Sequence, residues 1–374
     1  MAIMNVSQAL KNAIELEMRR DPSVYCIGED EDIPNGMGGV FLVTKGLGDE
    51  FGANVRVAHQ NGFEMKGQNI ADDRVINTPI SEILLGGVCV GSAMAGMRPV
   101  ADLQYGDFLF CMMDQLVNQA AKMHYMSNGQ LSVPMVMRAP VGAVRRGAQH
   151  AQSLESYFTH VPGLKVICPS TAYDAKGMMH AALNGTDPVL FLESQRIYDV
   201  GERFHPEGVP EAEYEIPLGE PDIKRAGSDI TILSIGATLY RALEAADILQ
   251  EQYGLSAEVI DARSLVPFRY EKVIESVKKT GRIVVTGDAC ERNSFMRNLA
   301  SNITELAFDY LDAPPVVVGA KNWITPAHEL EECFFPQPGW IVDAIHERIL
   351  PLPGHVCTHN CTELEQLREN ARGI

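Results

Sequence analysis

No apolar run in this 374-residue chain approaches the roughly 20 residues that cross a bilayer. The opening MAIMNVSQALKNAIELEMRR lacks a charged segment followed by an apolar core, so it is read as an amphipathic helix rather than a leader. There is no CxxC pair, which disfavours an iron–sulfur oxidoreductase. GxxxxGK[ST], GxSxG, HExxH and a post-strand GxGxxG are missing too, leaving kinase, hydrolase and nicotinamide readings without an anchor. Basic residues are in deficit. The 31 Lys and Arg against 49 Asp and Glu give a net charge of −18, which argues against a general binder of nucleic-acid phosphates.

What is present fits a globular chain of two domains, with 46% hydrophobic and 21% charged residues. SVYCIG, RVINTP, RPVADLQ, VPMVMRAP, GLKVICPS and DPVLFLES read as strands, and helices begin near Ser81, Phe108, Ser153 and Ala172. Such alternation predicts an α/β fold with a doubly wound parallel sheet, whose ligands bind beyond the carboxyl ends of the strands. The Pro-, Glu- and Gly-rich stretch around 201–220 is the expected linker, and a second α/β pattern runs from 221 to about 350 before a tail, 351–374. A polar, Gly- and Asn-rich segment at 52–73 reads as a long loop insertion.

The eight cysteines stand mostly singly in apolar contexts, the pattern of buried, reduced thiols in a cytoplasmic protein. HVCTHNC places His355, Cys357, His359 and Cys361 at every second position. On an extended strand these would line one face, too linear to surround one zinc ion without sharp bends.

INTPISEILLGG, residues 76–87, sets Glu82 directly before an apolar run. Thr78 as N-cap, Pro79 as first helical residue and Glu82 in the first turn explain a surface glutamate. They explain less well a glutamate opening a helix that must be apolar around most of its circumference.

NTPISE, GDFLFCMMDQLVNQAAKMHYMS, GAQHAQS, FTHVPGLKVICPSTAYDAKG and FDYLDAPP together resemble the β subunit of the thiamine-diphosphate-dependent 2-oxo acid dehydrogenase E1 component, the group of pyruvate, branched-chain and acetoin enzymes. The resemblance runs from about residue 4 to 350 in motif order, apart from 52–73. It implies a transketolase-type pyrimidine-binding domain over 1–200, a transketolase C-terminal domain over 221–350, and an α2β2 heterotetramer serving a lipoyl acyltransferase E2 core.

By the same resemblance Glu82 bonds N1′ of the cofactor's aminopyrimidine. A carboxylate in an apolar pocket can exchange a proton with that ring nitrogen, favouring the imino tautomer that deprotonates the thiazolium. His150 falls where the family's histidine faces the thiazolium and assists acyl transfer to lipoate, Phe108 where an aromatic packs on the pyrimidine, Glu29 where an acidic residue stands near the pyrimidine end, and Gln104 on the substrate side. Arg145 and Arg146 upstream of His150, and SFMRNLA at 294–300, depart from the family pattern. The GDG…N motif that holds Mg²⁺ and the diphosphate is missing, so that half of the site, with its Mg²⁺, falls to an α subunit. A carboligase with a non-lipoyl acceptor and a non-catalytic partner subunit stay open as alternatives.

Overall fold

The computed structural model describes residues 4–31, 38–52, 54–59, 62–67, 73–142 and 146–358, with the backbone alone for 54–59 and 62–67. Arg145, His359 and Cys361 lie outside the described residues. Contacts divide the chain into two compact units, Met1–Pro140 with His160–Glu193 and Ile197–Leu218, and Val141–Thr159 with Ser194–Arg196 and Gly219–Ile374. Among the described residues no helix is long and apolar enough to cross a membrane. The described cysteines are free. Cys26, Cys89 and Cys168 are buried as expected, whereas Cys111, Cys290 and Cys333 are exposed.

The first eight strands are β1 (Val24–Gly28), β2 (Asn54–His59), β3 (Gly62–Gly67), β4 (Val75–Asn77), β5 (Arg98–Asp102), β6 (Val136–Val141), β7 (Lys165–Ile167) and β8 (Val189–Ser194). Six lie side by side in the order β7-β8-β6-β5-β1-β4. β1 pairs in parallel with β4 and β5, setting Cys26 opposite both Val75 and Val100, and β5 pairs in parallel with β6. β1, β6 and β8 are buried at every residue, which is why they read as continuous apolar runs rather than alternating ones. β2 and β3 form a separate antiparallel ribbon, with Val55 opposite Lys66 and Val57 opposite Glu64. The segment expected to be loop therefore contains strands; its Gly and Asn content obscured the period of two in NVRVAH.

The first helix, Val6–Arg20, starts at a reciprocal cap. Gln8 N–H donates to Asn5 Oδ1 at 2.9 Å and Asn5 N–H donates to Gln8 Oε1 at 3.0 Å. It packs on the helix Ala172–Asn184, and where the two meet, buried His180 Nδ1 lies 2.6 Å from Glu17 Oε1.

At the carboxyl edge of the first sheet Arg138 is almost wholly buried. Its Nε and Nη2 donate to the two oxygens of Glu193, each at 2.8 Å, and its Nη1 donates to Asp102 Oδ2 at 2.8 Å. The Tyr198 hydroxyl donates to Glu193 as well, at 2.7 Å. One guanidinium thus ties β5, β6 and β8 together, as its planar fork suits.

The second unit carries β9 (Asp222–Arg225), β10 (Ile230–Ser234), β11 (Ala257–Asp261), β12 (Ser264–Val266), β13 (Ile283–Cys290) and β14 (Val316–Ala320). Its sheet runs β14-β13-β10-β11-β9, parallel except for β9, an antiparallel edge strand. Helices Thr238–Tyr253 and Glu271–Thr280 end on left-handed Gly254 and Gly281. The divergent SFMRNLA segment forms an ordinary helix, Phe295–Ala307, capped by Ser294 and burying Phe295, Met296, Leu299 and Ile303.

Arg138→Met leaves two buried carboxylates facing one another without their cation and is expected to cost about 3–5 kcal/mol. Urea unfolding of the variant checks this. A loss below about 1 kcal/mol, the range of an exposed pair, would contradict the role given to the cluster.

Candidate functional site

Three adjacent strands deliver the candidate residues. Glu29 directly follows β1, Glu82 comes five residues after β4, and Gln104 two residues after β5, all beyond carboxyl ends of parallel strands. Gln104 Nε2 donates to the Glu29 carbonyl at 2.8 Å, tying the β1 and β5 loops together. Its Oε1 is buried with no partner among the described residues, and so is the Thr78 hydroxyl. Thr78 and its neighbour strand thus add a polar group that sequence reading used only as a helix cap.

The helix cap itself needs correction. Thr78 N–H donates to the Gly28 carbonyl at 2.9 Å, so Thr78 still belongs to the sheet and cannot start a helix. The N-cap is Ser81, whose hydroxyl accepts from Leu84 N–H at 3.4 Å, and Glu82 is the first residue of the helix Glu82–Met94. Its charge sits where the helix dipole favours it. Glu82 is half-buried rather than enclosed in an apolar pocket. The helix is apolar around most of its circumference as expected, but only Leu85, Gly86, Cys89, Val90 and Ala93 are buried. Ile80, Ile83, Leu84 and Val88 are exposed, at 83%, 61%, 47% and 40%.

Phe108 lies in a tightly wound 3₁₀ turn, Gly106–Met112, that leads through a wide π-wound stretch, Asp114–Ala120, into the helix Ala121–Met126. Sequence reading expected one helix from Phe108. Gly86 brings this segment close, since a Cβ there would stand 3.0 Å from Gln115 Cβ and 3.3 Å from Met112 Cβ. The half-buried Phe108 ring meets Tyr105 edge to face at 6.0 Å, and Tyr105 meets Phe41 likewise at 5.6 Å.

Electrostatics links two of the carboxylates. Glu29 is pushed up from its ordinary range by burial, then by the charge of Glu82, then by Asp30. The first unit therefore gathers Glu29, Glu82, Gln104 and Phe108 around one sheet edge. A cavity lined by Pro22, Tyr25, Asp73, Arg74 and Ser92 lies at the amino ends of the same strands, away from these groups.

His150 belongs to the second unit. It ends a turn after Gly147, half-buried, and its carbonyl accepts from Gln195 Nε2 at 2.8 Å. Gln195 is buried and follows β8 directly; it holds the His150 backbone, and its place after a strand end was the available signal. Arg146, by contrast, is exposed. Nearby in the same unit Arg196 Nη2 donates to both oxygens of Asp288 at 2.6 Å, and the Thr238 hydroxyl donates to Asp288 at 2.8 Å. Glu155 is wholly buried and pushed up to about 7, chiefly by desolvation and then, against the pull of its own backbone hydrogen bond, by Asp288.

Comparison with known proteins gives a consistent picture. The transketolase pyrimidine-binding domain matches residues 3–200 and the transketolase C-terminal domain matches residues 219–341. The chain is 39% identical over 351 residues to the acetoin:2,6-dichlorophenolindophenol oxidoreductase subunit beta of Cupriavidus necator, covering 91% of this chain and 96% of that protein. It is 39% identical over 315 residues to the 2-oxoisovalerate dehydrogenase subunit beta of Bacillus subtilis (84% and 88% covered). Against the pyruvate dehydrogenase E1 component subunit beta of the same organism the identity is 37% over 337 residues (90% and 95% covered). Among solved structures, a split-gene transketolase described as an inactive beta4 tetramer superposes with a TM-score of 0.66 at 20% identity, over 94% of this chain and 99% of that one.

Two titrations follow from this geometry. Glu82→Gln removes a neighbouring negative charge, so the Glu29 carboxyl should titrate at lower pH in the variant, read from its side-chain carbon resonance; an unmoved titration would separate the two groups. Glu155 has a folded-state value of about 7 against an ordinary 4.5, so its contribution is fully present below the unfolded value and lost as pH rises through about 7. Relative to Glu155→Gln, the wild type should lose about 3 kcal/mol of stability between pH 4.5 and 7 and be level above that. Parallel stability–pH curves would contradict it.

Proposed function

This chain belongs to the family of transketolase-type β subunits that includes those of pyruvate dehydrogenase E1, 2-oxoisovalerate dehydrogenase and acetoin oxidoreductase, and on that premise we propose that it supplies the pyrimidine half of a thiamine-diphosphate site. The reaction is oxidative decarboxylation of a 2-oxo acid, or cleavage of acetoin, with acyl transfer to a lipoyl acyltransferase. The observation that carries this reading is the half-buried Glu82 at a strand-to-helix turn, with Glu29 beside it and the Gln104 Oε1 and Thr78 hydroxyl buried and unpartnered among the described residues. Such polar atoms around an aromatic ring fit the edge and face of an aminopyrimidine.

Glu82 would hold a proton at ring N1′, from its place in the first turn of the helix. Glu29, already raised by burial and by Glu82, limits how much negative charge the pair carries. Phe108 offers a ring face, and Gln104 fixes the loop that carries Glu29. Thiamine diphosphate, when bound, supplies the electron sink for the carbanion left by decarboxylation. His150, on a backbone held by Gln195, presents an imidazole as a proton donor during transfer to the lipoyl group.

The diphosphate and its Mg²⁺ fall to an α subunit, since no GDG…N motif occurs in this chain. The exposed apolar face formed by Ile80, Ile83, Leu84 and Val88 supports a protein partner beside Glu82, and the assembly we propose is an α2β2 heterotetramer in the reducing cytoplasm.

Glu82→Gln keeps the shape and removes the exchangeable proton, so turnover in the complex reconstituted with its α subunit should fall by about 100-fold or more, with the far-ultraviolet circular dichroism unchanged. Near-normal turnover would remove Glu82 from the mechanism. His150→Ala should depress lipoyl-dependent turnover more than turnover with an artificial electron acceptor; equal losses in the two assays would reject its assigned role.

A further inference from the structure

The stretch His355–Cys361, whose linear spacing argued against a metal, changes character once a third element is brought in. Helix Pro338–Arg348 presents Asp343, which is almost wholly buried, and the chain beyond it doubles back. Leu352 N–H donates to His346 Nδ1 at 2.8 Å, Gly354 turns the backbone at φ +74, and Thr358 N–H donates to Asp343 Oδ2 at 3.1 Å. The returning segment lays His355 and Cys357 against the helix. His355 Nε2 lies 2.7 Å from Asp343 Oδ1, and its Nδ1 lies 2.7 Å from the hydroxyl of Tyr253. Ligand atoms of Asp343, His355 and Cys357 all stand within 4.8 Å of one another.

We propose that Asp343, His355 and Cys357 form a binding site for a divalent transition-metal ion of the zinc type, which fastens the segment after Gly354 to the helix Pro338–Arg348. The donor set decides the class of ion. A thiolate and an imidazole suit zinc and disfavour magnesium or calcium, and one carboxylate plus one thiolate neutralise a dication. Water completes a tetrahedron. His355 is already oriented in the manner of metal-bound histidines, with its second nitrogen engaged by another group. On binding, the metal takes Nε2 and the imidazole proton resides on Nδ1, hydrogen-bonded to the Tyr253 oxygen. The Cys357 thiol loses its proton to solvent, so one proton is released per ion. Closing the tetrahedron requires Nε2 and the Asp343 oxygen to separate slightly from hydrogen-bond distance. His355 and Cys357 stand outside any helix or strand, where that movement is small work.

The test uses the full-length chain, stripped with chelator and titrated with Zn²⁺ and separately with Co²⁺. One equivalent of each should bind, the cobalt form should show a thiolate-to-metal charge-transfer band in the near ultraviolet, and Zn²⁺ should raise the thermal unfolding midpoint. Cys357→Ser should abolish the band, and His355→Gln and Asp343→Asn should each weaken binding by about tenfold or more. Because Asp343 is buried, circular dichroism must show that its variant is folded. His355→Gln and Cys357→Ser alter the partly exposed segment and carry the test if it is not. Absence of the band in the wild type, or retention of full affinity in His355→Gln or of the band in Cys357→Ser, overturns the proposal.

Discussion

The buried guanidinium of Arg138, shared between Asp102 and Glu193, fixes the edge on which everything else is built. Asp102 ends β5, Glu193 stands one residue before the end of β8, and Arg138 reaches both from within β6, so the cluster works only if the three strands keep their register. A parallel sheet buried on both faces has little else to align its strand ends, because apolar runs slide past one another at small cost. With the edge pinned, the loop after β5 places Gln104, and Gln104 in turn holds the backbone of Glu29 after β1. Glu31, wholly buried nearby, is pushed well above its usual range by desolvation and then by Asp102. This edge thus carries several carboxyl groups around one buried cation.

Under the proposed function that arrangement is half of a site. A carboxyl raised by burial at Glu29, an aromatic ring and polar atoms unpartnered among the described residues can receive a heterocycle, but nothing in the sequence resembles the motif that holds a diphosphate with its cation. The exposed apolar residues of the helix that begins at Glu82 make sense on the same terms. A helix apolar around its whole circumference is stable when buried on all sides, and here the fold of the chain covers only one side.

Much of this was legible in the sequence, for definable reasons. Buried parallel strands are runs of β-branched and apolar residues, so β1, β5, β6 and β8 announced themselves, and the strand-end rule points to Glu82 and Gln104, whereas Glu29 is reached only through the family resemblance. Local signals failed where a distant partner decides. Thr78 looks like a helix cap, yet its N–H is claimed by Gly28 on a neighbouring strand, and the cap moves to Ser81. The winding of 106–126 through 3₁₀, π and α turns follows from packing against the helix at Gly86, which no local periodicity encodes. Gln195 was missed because its role, a hydrogen bond to the His150 carbonyl, joins residues 45 positions apart. Asp343 was missed beside His355 for the same reason, since it belongs to another element.

The central claim is that the chain carries a pyrimidine half-site that a second subunit must complete. Isothermal titration calorimetry of thiamine diphosphate with Mg²⁺, into the chain alone and into the chain mixed with an α subunit bearing a GDG…N motif, measures it most directly. A buried diphosphate without its cation and ligands carries an uncompensated charge that ring stacking cannot offset. The account predicts weak or undetectable binding to the chain alone and tight, Mg²⁺-dependent binding to the mixture; tight Mg²⁺-dependent binding to the chain alone would contradict it.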